Sequence, residues 1–121
     1  MLALFPSSLC FCPFLAELVL DHNLLESLIP EIGQLIGLIY LSLEGNKISQ
    51  LPPCLSALTS LAVLSLRHNC LSFLPEELGS LSCLKVLDLC GNLLTSLPSS
   101  LNKLNLSALW LGVDGYYKLI L

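Results

Sequence analysis

The 121-residue chain is poor in charge and in histidine: five Lys and Arg, nine Asp and Glu, and two His. The basic residues Lys47, Arg67, Lys85, Lys103 and Lys118 are scattered and outnumbered, giving a net charge of −4 and an isoelectric point near 4.9. No basic stripe is available to neutralise phosphates, so nucleic acid is not an expected partner. Six cysteines stand at positions 10, 12, 54, 70, 83 and 90. They form no Cys-x-x-Cys pair, and with two histidines there is no zinc pattern. No metal or cofactor is expected. A Ser/His/Asp set, a phosphate loop and paired inward carboxylates are equally missing, so the expected class is non-enzymatic.

Unbroken apolar runs are also lacking, although 55% of residues are hydrophobic and the mean hydropathy is +0.82. The longest charge-free stretch, Ile48 to Leu66, is long enough to cross a bilayer. It carries Pro52 and Pro53 together with Ser49, Gln50, Ser56, Thr59, Ser60 and Ser65, and its apolar residues are spaced, so membrane insertion is not expected. The N-terminal "MLALFPSSLCFCPFLAEL" has no basic region before its apolar part and is interrupted by Pro6 and Pro13, unlike a secretory signal. Cysteines without a framework suit a reducing compartment, and no structural disulfide is expected.

What is present is periodicity. Asn23, Asn46, Asn69 and Asn92 are each 23 residues apart. Apolar residues keep step at fixed offsets: Leu15, Leu38, Leu61 and Leu84 lie eight before, with Leu18, Leu41, Leu64, Leu87 and Leu20, Leu43, Leu66, Leu89 between them and the asparagines. After each Asn come Leu25, Ile48, Leu71, Leu94, then Leu28, Leu51, Leu74, Leu97, then Ile32, Leu55, Leu78, Leu101, then Leu35, Leu58, Leu81, Leu104. Leucines two apart face one side of a strand. One strand per repeat cannot bury them alone, so the units must stack into a parallel sheet about 4.8 Å apart with one shared core. An Asn side chain both donates and accepts, so a column of Asn at the strand ends can satisfy buried backbone groups that would otherwise cost free energy. Asn23, Asn46, Asn69 and Asn92 are therefore read as a structural ladder.

The pattern LxxLxLxxNxL, as in "LIYLSLEGNKISQLPP", "LAVLSLRHNCLSFLPE" and "LKVLDLCGNLLTSLPS", resembles the leucine-rich repeat family over essentially the whole chain. The fold expected is an α/β solenoid, an arc with a parallel sheet on its concave face and short helical or 3₁₀ turns on its convex face. Pro52, Pro75 and Pro98 open the return segments, whose spacing of three suits 3₁₀ turns. Pro30 comes one residue later, which predicts a small local shift. One domain is expected, with full repeats at 15–37, 38–60, 61–83 and 84–105 and partial ones at 1–14 and 106–121. In the first, Phe5, Pro6, Leu9 and Cys12 match the second half of a repeat, which makes Cys12 a small buried hydrophobe. In the last, the step from Leu84 to Leu106 is one residue short; Leu106, Leu109 and Leu111 begin a fifth strand, Asp114 takes the asparagine phase, and Tyr116 and Leu119 fall on core phases. Terminal repeats without polar caps expose their cores, so self-association through the ends is expected, as is membership in a longer array.

Between the core leucines, outward positions form three lanes: Glu17, Tyr40, Val63, Val86, Ala108; then Val19, Ser42, Ser65, Asp88, Trp110; then Asp21, Glu44, Arg67, Cys90, Gly112. Glu17, Asp21, Tyr40, Glu44, Val63, Arg67, Val86, Asp88 and Trp110 are the candidate partner-binding residues, with Tyr40 and Trp110 as aromatic anchors in a mostly acidic rim. Glu44 and Arg67, on adjacent units, are expected to pair. His22 and His68 lie two units apart, too far to share a metal, and are read as surface residues. The period and "LPxxLxxL" resemble the intracellular subclass that includes Ras-associated scaffolds, scribble-like polarity proteins and plant Ras-group-related proteins; "IPEIGQL" is closer to plant-type repeats. The resemblance implies a cytoplasmic protein-interaction module in signalling or scaffolding. The alternative is a fragment of an extracellular receptor's repeat domain.

Overall fold

A computed structural model describes residues 1–112 and the backbone of 117–119. Strands β1 (Glu17–Val19), β2 (Tyr40–Ser42), β3 (Val63–Ser65), β4 (Val86–Asp88) and β5 (Ala108–Leu111) lie in chain order in one sheet. All four contacts between them are parallel and in register, for example Leu18, Leu41, Leu64, Leu87 and Leu109. The leucines facing away from the lanes fill a single core with the return segments, and Leu38, Leu41, Leu43, Leu61, Leu64, Leu66, Leu84 and Leu87 are fully buried. This is the solenoid expected from the repeat.

Each return segment is a 3₁₀ turn: Ser7–Phe11, Pro30–Gln34, Pro53–Ala57, Glu76–Ser80 and Ser99–Lys103. Successive i→i+3 bonds run through it, as in Leu55 N–H to Pro52 O, Leu58 N–H to Leu55 O and Leu61 N–H to Leu58 O. Three residues per turn puts leucines spaced by three on one side, and that side faces the core. The shift expected at Pro30 does not occur. Every turn after the first asparagine starts seven residues past its asparagine, and Pro30 sits at the first turn position where the other repeats carry Pro53, Glu76 and Ser99. Ile29 holds the preceding site in the same extended conformation (φ −78°, ψ 152°) as Pro52 (φ −70°, ψ 142°). Proline's fixed φ suits either position, so moving it by one leaves the backbone in phase.

The asparagines do what the sequence demands of them. Asn69 Nδ2 donates to Leu43 O (2.9 Å), Leu66 O (3.0 Å) and Arg67 O (3.3 Å), while its Oδ1 accepts from Ile48 N–H (3.0 Å). Asn46 and Asn92 repeat this set one rung away on either side. Each of these side chains therefore ties its own rung to the preceding one. Asn23 bonds to Leu20 O and Asp21 O and accepts from Leu2 N–H, but makes no bond to an earlier strand.

The ends depart from expectation. Cys12 is exposed; Cys10 is the buried thiol, and burial, then the charges of Glu31 and Cys12, push its pKa above the ordinary value. The cause lies in the stacking. No rung covers the inward site that Cys12 occupies, whereas Cys10 sits where the later turns carry Gly33 and Gly79, facing the next turn: a Cβ on Gly33 would come within 2.8 Å of Cys54 O. Leu97, on a core phase, is 38% exposed for the mirror-image reason, as it lies on the last complete rung. After β5 the chain reverses, and β6 (Tyr117–Leu119) pairs with it antiparallel, Leu109 opposite Leu119. Asp114 and Tyr116 lie outside the described residues.

Candidate functional site

Register brings the outward residues into rows. Glu17, Tyr40, Val63, Val86 and Ala108 are direct neighbours across five strands, as are Val19, Ser42, Ser65, Asp88 and Trp110. Strand sterics alone place them: alternate residues face opposite sides, and the intervening leucines are held in the core. Glu17 and Tyr40 are exposed, Val63 and Val86 half-buried, and Ala108 buried. The first lane thus slopes from open at β1 to closed at β5. Trp110 is half-buried beside Asp88 at the closed end.

The acidic rim is more committed to the fold than its sequence shows. Asp21 Oδ1 accepts from Ser42 Oγ (2.6 Å) and from Glu44 N–H (2.9 Å). Those bonds bury Ser42, which the sequence placed on the open face, and they anchor Asp21 to the next rung. Asp88 Oδ1 accepts from Cys90 N–H (3.0 Å), and its Oδ2 lies 3.6 Å from Arg67 Nη1. Arg67 therefore pairs forward with Asp88 and not, as expected, backward with Glu44. Cys90, assigned to the outer lane, is buried, with its Sγ 3.5 Å from Leu111 O. Exposed positions for a partner are thus Glu17, Val19 and Tyr40, with Glu44, Val63, Arg67, Val86 and Trp110 half-covered behind them.

One device escaped the sequence reading. The residue before each asparagine alternates His22, Gly45, His68, Gly91, and all four have positive φ (55°, 71°, 54° and 69°). A Cβ on Gly45 would come 2.5 Å from Nδ1 of His22, and Gly91 stands in the same relation to His68. Each imidazole covers the glycine of the next rung. The alternation of His and Gly in register with Asn was the available clue. Both histidines are exposed, as expected of surface residues. Among the described residues no group of three or more His, Cys, Asp or Glu could hold a metal, and no disulfide joins the six cysteines.

A leucine rich repeat family model matches residues 13–71, and a second one matches residues 83–104. The chain is built of leucine-rich repeats. A solved leucine-rich repeat protein of Leptospira interrogans superposes with a TM-score of 0.84 and 35% identity over 92% of this chain. The chain spans 28% of the length of that protein. A search of curated proteins finds no match. Leucine-rich repeat domains are in general non-catalytic modules that bind other proteins, and among the described residues no helix is long and apolar enough to cross a membrane.

Proposed function

We propose that this leucine-rich repeat chain binds a protein partner across the concave sheet face, centred on the row Glu17, Tyr40, Val63 and Val86. One observation carries the reading: register sets side chains of one row side by side on adjacent strands, exposed at β1 and β2 and half-buried at β3 and β4. Such a row offers an extended partner segment regularly spaced contacts on a rigid frame. Tyr40 is the aromatic anchor at its open end, and Trp110 bounds it at the other. Asp21 and Asp88 act in this reading by holding the rungs, and Glu17 and Glu44 carry the charge a partner meets.

The role proposed is scaffolding or signalling in the cytoplasm, in keeping with the resemblance to intracellular scaffolds. Six cysteines with no disulfide among them are in keeping with a reducing compartment. A place in an extracellular receptor is the competing reading. To test the surface, proteins crosslinked to the wild-type chain in cells are compared with those captured by Glu17→Lys/Tyr40→Ala and by a turn-side control, Phe73→Ala/Glu77→Lys. Partners lost only with the first variant support the sheet face. Partners lost only with the control, or kept by both, sink it. Arg67→Glu is a poor probe, since it would set like charges beside Asp88.

A further inference from the structure

Charge is divided unevenly over the described residues. The three outward lanes of the sheet hold four carboxylates, Glu17, Asp21, Glu44 and Asp88, and one cation, Arg67. Outside the lanes, four carboxylates are set against three lysines, Lys47, Lys85 and Lys103. The sheet face therefore carries most of the net negative charge. Its one cation lies 3.6 Å from Asp88, so the excess falls on the rungs of β1 and β2.

Tyr40 and Glu44 stand on the second of these rungs, which has a strand on either side. Ser42 between them is small and buried, leaving a low floor between the phenol ring and the carboxylate. Glu44, and Glu17 in register with Tyr40, make no ion pair among the described residues. Asp21 accepts two hydrogen bonds at one oxygen, which hold its carboxylate in place without neutralising it. A cation is attracted to the face of an aromatic ring, and carboxylates around the ring add to that attraction. On the far side of Tyr40 the row turns apolar, with Val63 and then Val86 half-buried on the next two strands. Strands about 4.8 Å apart place the middle of that valine pair about 7 Å from Tyr40. Residues two apart in an extended segment share one side and lie about 6.7 Å apart.

We propose that the occupant of the face is a basic, extended segment of another protein. It crosses the strands with an Arg or Lys over Tyr40 and an aliphatic residue two positions away over Val63 and Val86. This rests on the sheet-face reading above and narrows it to one partner chemistry. An acidic segment would meet Glu17, Asp21 and Glu44 with like charge. A wholly apolar one would cover those carboxylates without pairing them, which costs free energy. Only a segment that carries a cation beside an apolar residue matches both halves of the row.

The test is selection of a random peptide library on the immobilised 121-residue protein, followed by fluorescence anisotropy of the enriched peptides. These are expected to share an Arg or Lys with an aliphatic residue two positions away, and to bind more weakly as salt is raised. Glu44→Lys should weaken them about tenfold with an unchanged far-ultraviolet circular dichroism spectrum. Glu44→Gln, which keeps the shape of the side chain, should weaken them less and flatten the salt dependence. Glu77→Lys, the same charge change at an exposed turn position, should leave binding as it is. Enriched peptides without a cation overturn the proposal; if Tyr40→Ala still abolishes their binding, the sheet-face reading stands. Basic peptides whose binding ignores both Glu44→Lys and Tyr40→Ala overturn the proposal and that reading together, as does a selection that enriches nothing.

Discussion

The middle rungs and the end rungs are built from the same residues at the same phases, yet they are different environments. Leu61, Leu64 and Leu66 are fully buried, while Leu15 and Leu20 on the first rung are only partly so and Leu97 on the last complete one is 38% exposed. The strand, the turn and the asparagine are alike in each. What differs is whether a neighbour lies on both sides. In a solenoid the stability sits in the contacts between units more than within them, so a leucine's position in the repeat decides where it points, and its position in the array decides what that is worth.

Asparagine offers the sharpest way to break that comparison. Asn69→Ala would leave the buried Ile48 N–H without a partner and take one of two asparagine donors from Leu43 O and from Leu66 O, which keep those of Asn46 and Asn92. An unsatisfied buried group costs about 1–3 kcal/mol and each further lost hydrogen bond about 0.5–1.5 kcal/mol, not fully additive, so a loss of about 3–5 kcal/mol is expected in urea unfolding. Asn23→Ala, on a half-exposed end, should cost about 1 kcal/mol. Equal losses would mean that the end rung is as well held as the middle. Leucine gives the next contrast. Leu64→Ala empties a fully buried site and should cost about 2–5 kcal/mol. Leu97→Ala removes a side chain already 38% exposed and should cost under about 1 kcal/mol.

Phase was legible in the sequence because a fixed period leaves each residue a single direction to point. That is why the five parallel strands, the 3₁₀ returns and the Asn ladder followed from spacing. What was not legible depends on neighbours the period does not encode. Cys12 occupies a core phase, but no rung closes over it. Ser42 lies on an outward phase, but Asp21 reaches across and buries it. Arg67 had carboxylates available on both sides, and the period does not encode the choice of Asp88 over Glu44. The outward phases of the sheet therefore followed from spacing, while their openness had to come from three-dimensional contacts.

Two smaller effects test how tightly successive rungs are coupled. Gly45→Ala meets a positive φ of 71° and the His22 ring together, and should cost about 1–2 kcal/mol. His22→Ala in the same chain should recover the steric part and leave the backbone part, about 1 kcal/mol. Without any recovery, the imidazole would not be what covers the glycine.

The smallest effect concerns the face itself. Arg67 and Asp88 keep 24% and 20% of their side chains exposed at a separation of 3.6 Å, so solvent screens much of their attraction. Arg67→Ala should then cost only about 0.2–1 kcal/mol and less in high salt. The same substitution frees one carboxylate oxygen of Asp88 while Cys90 N–H still holds the other, adding negative charge to the half of the face that the pair keeps neutral. A partner bearing basic residues should therefore bind the variant faster at low salt, with stability almost unchanged. A loss of several kcal/mol would instead make the pair a structural tie like Asp21 to Ser42, and would remove Arg67 from the binding surface.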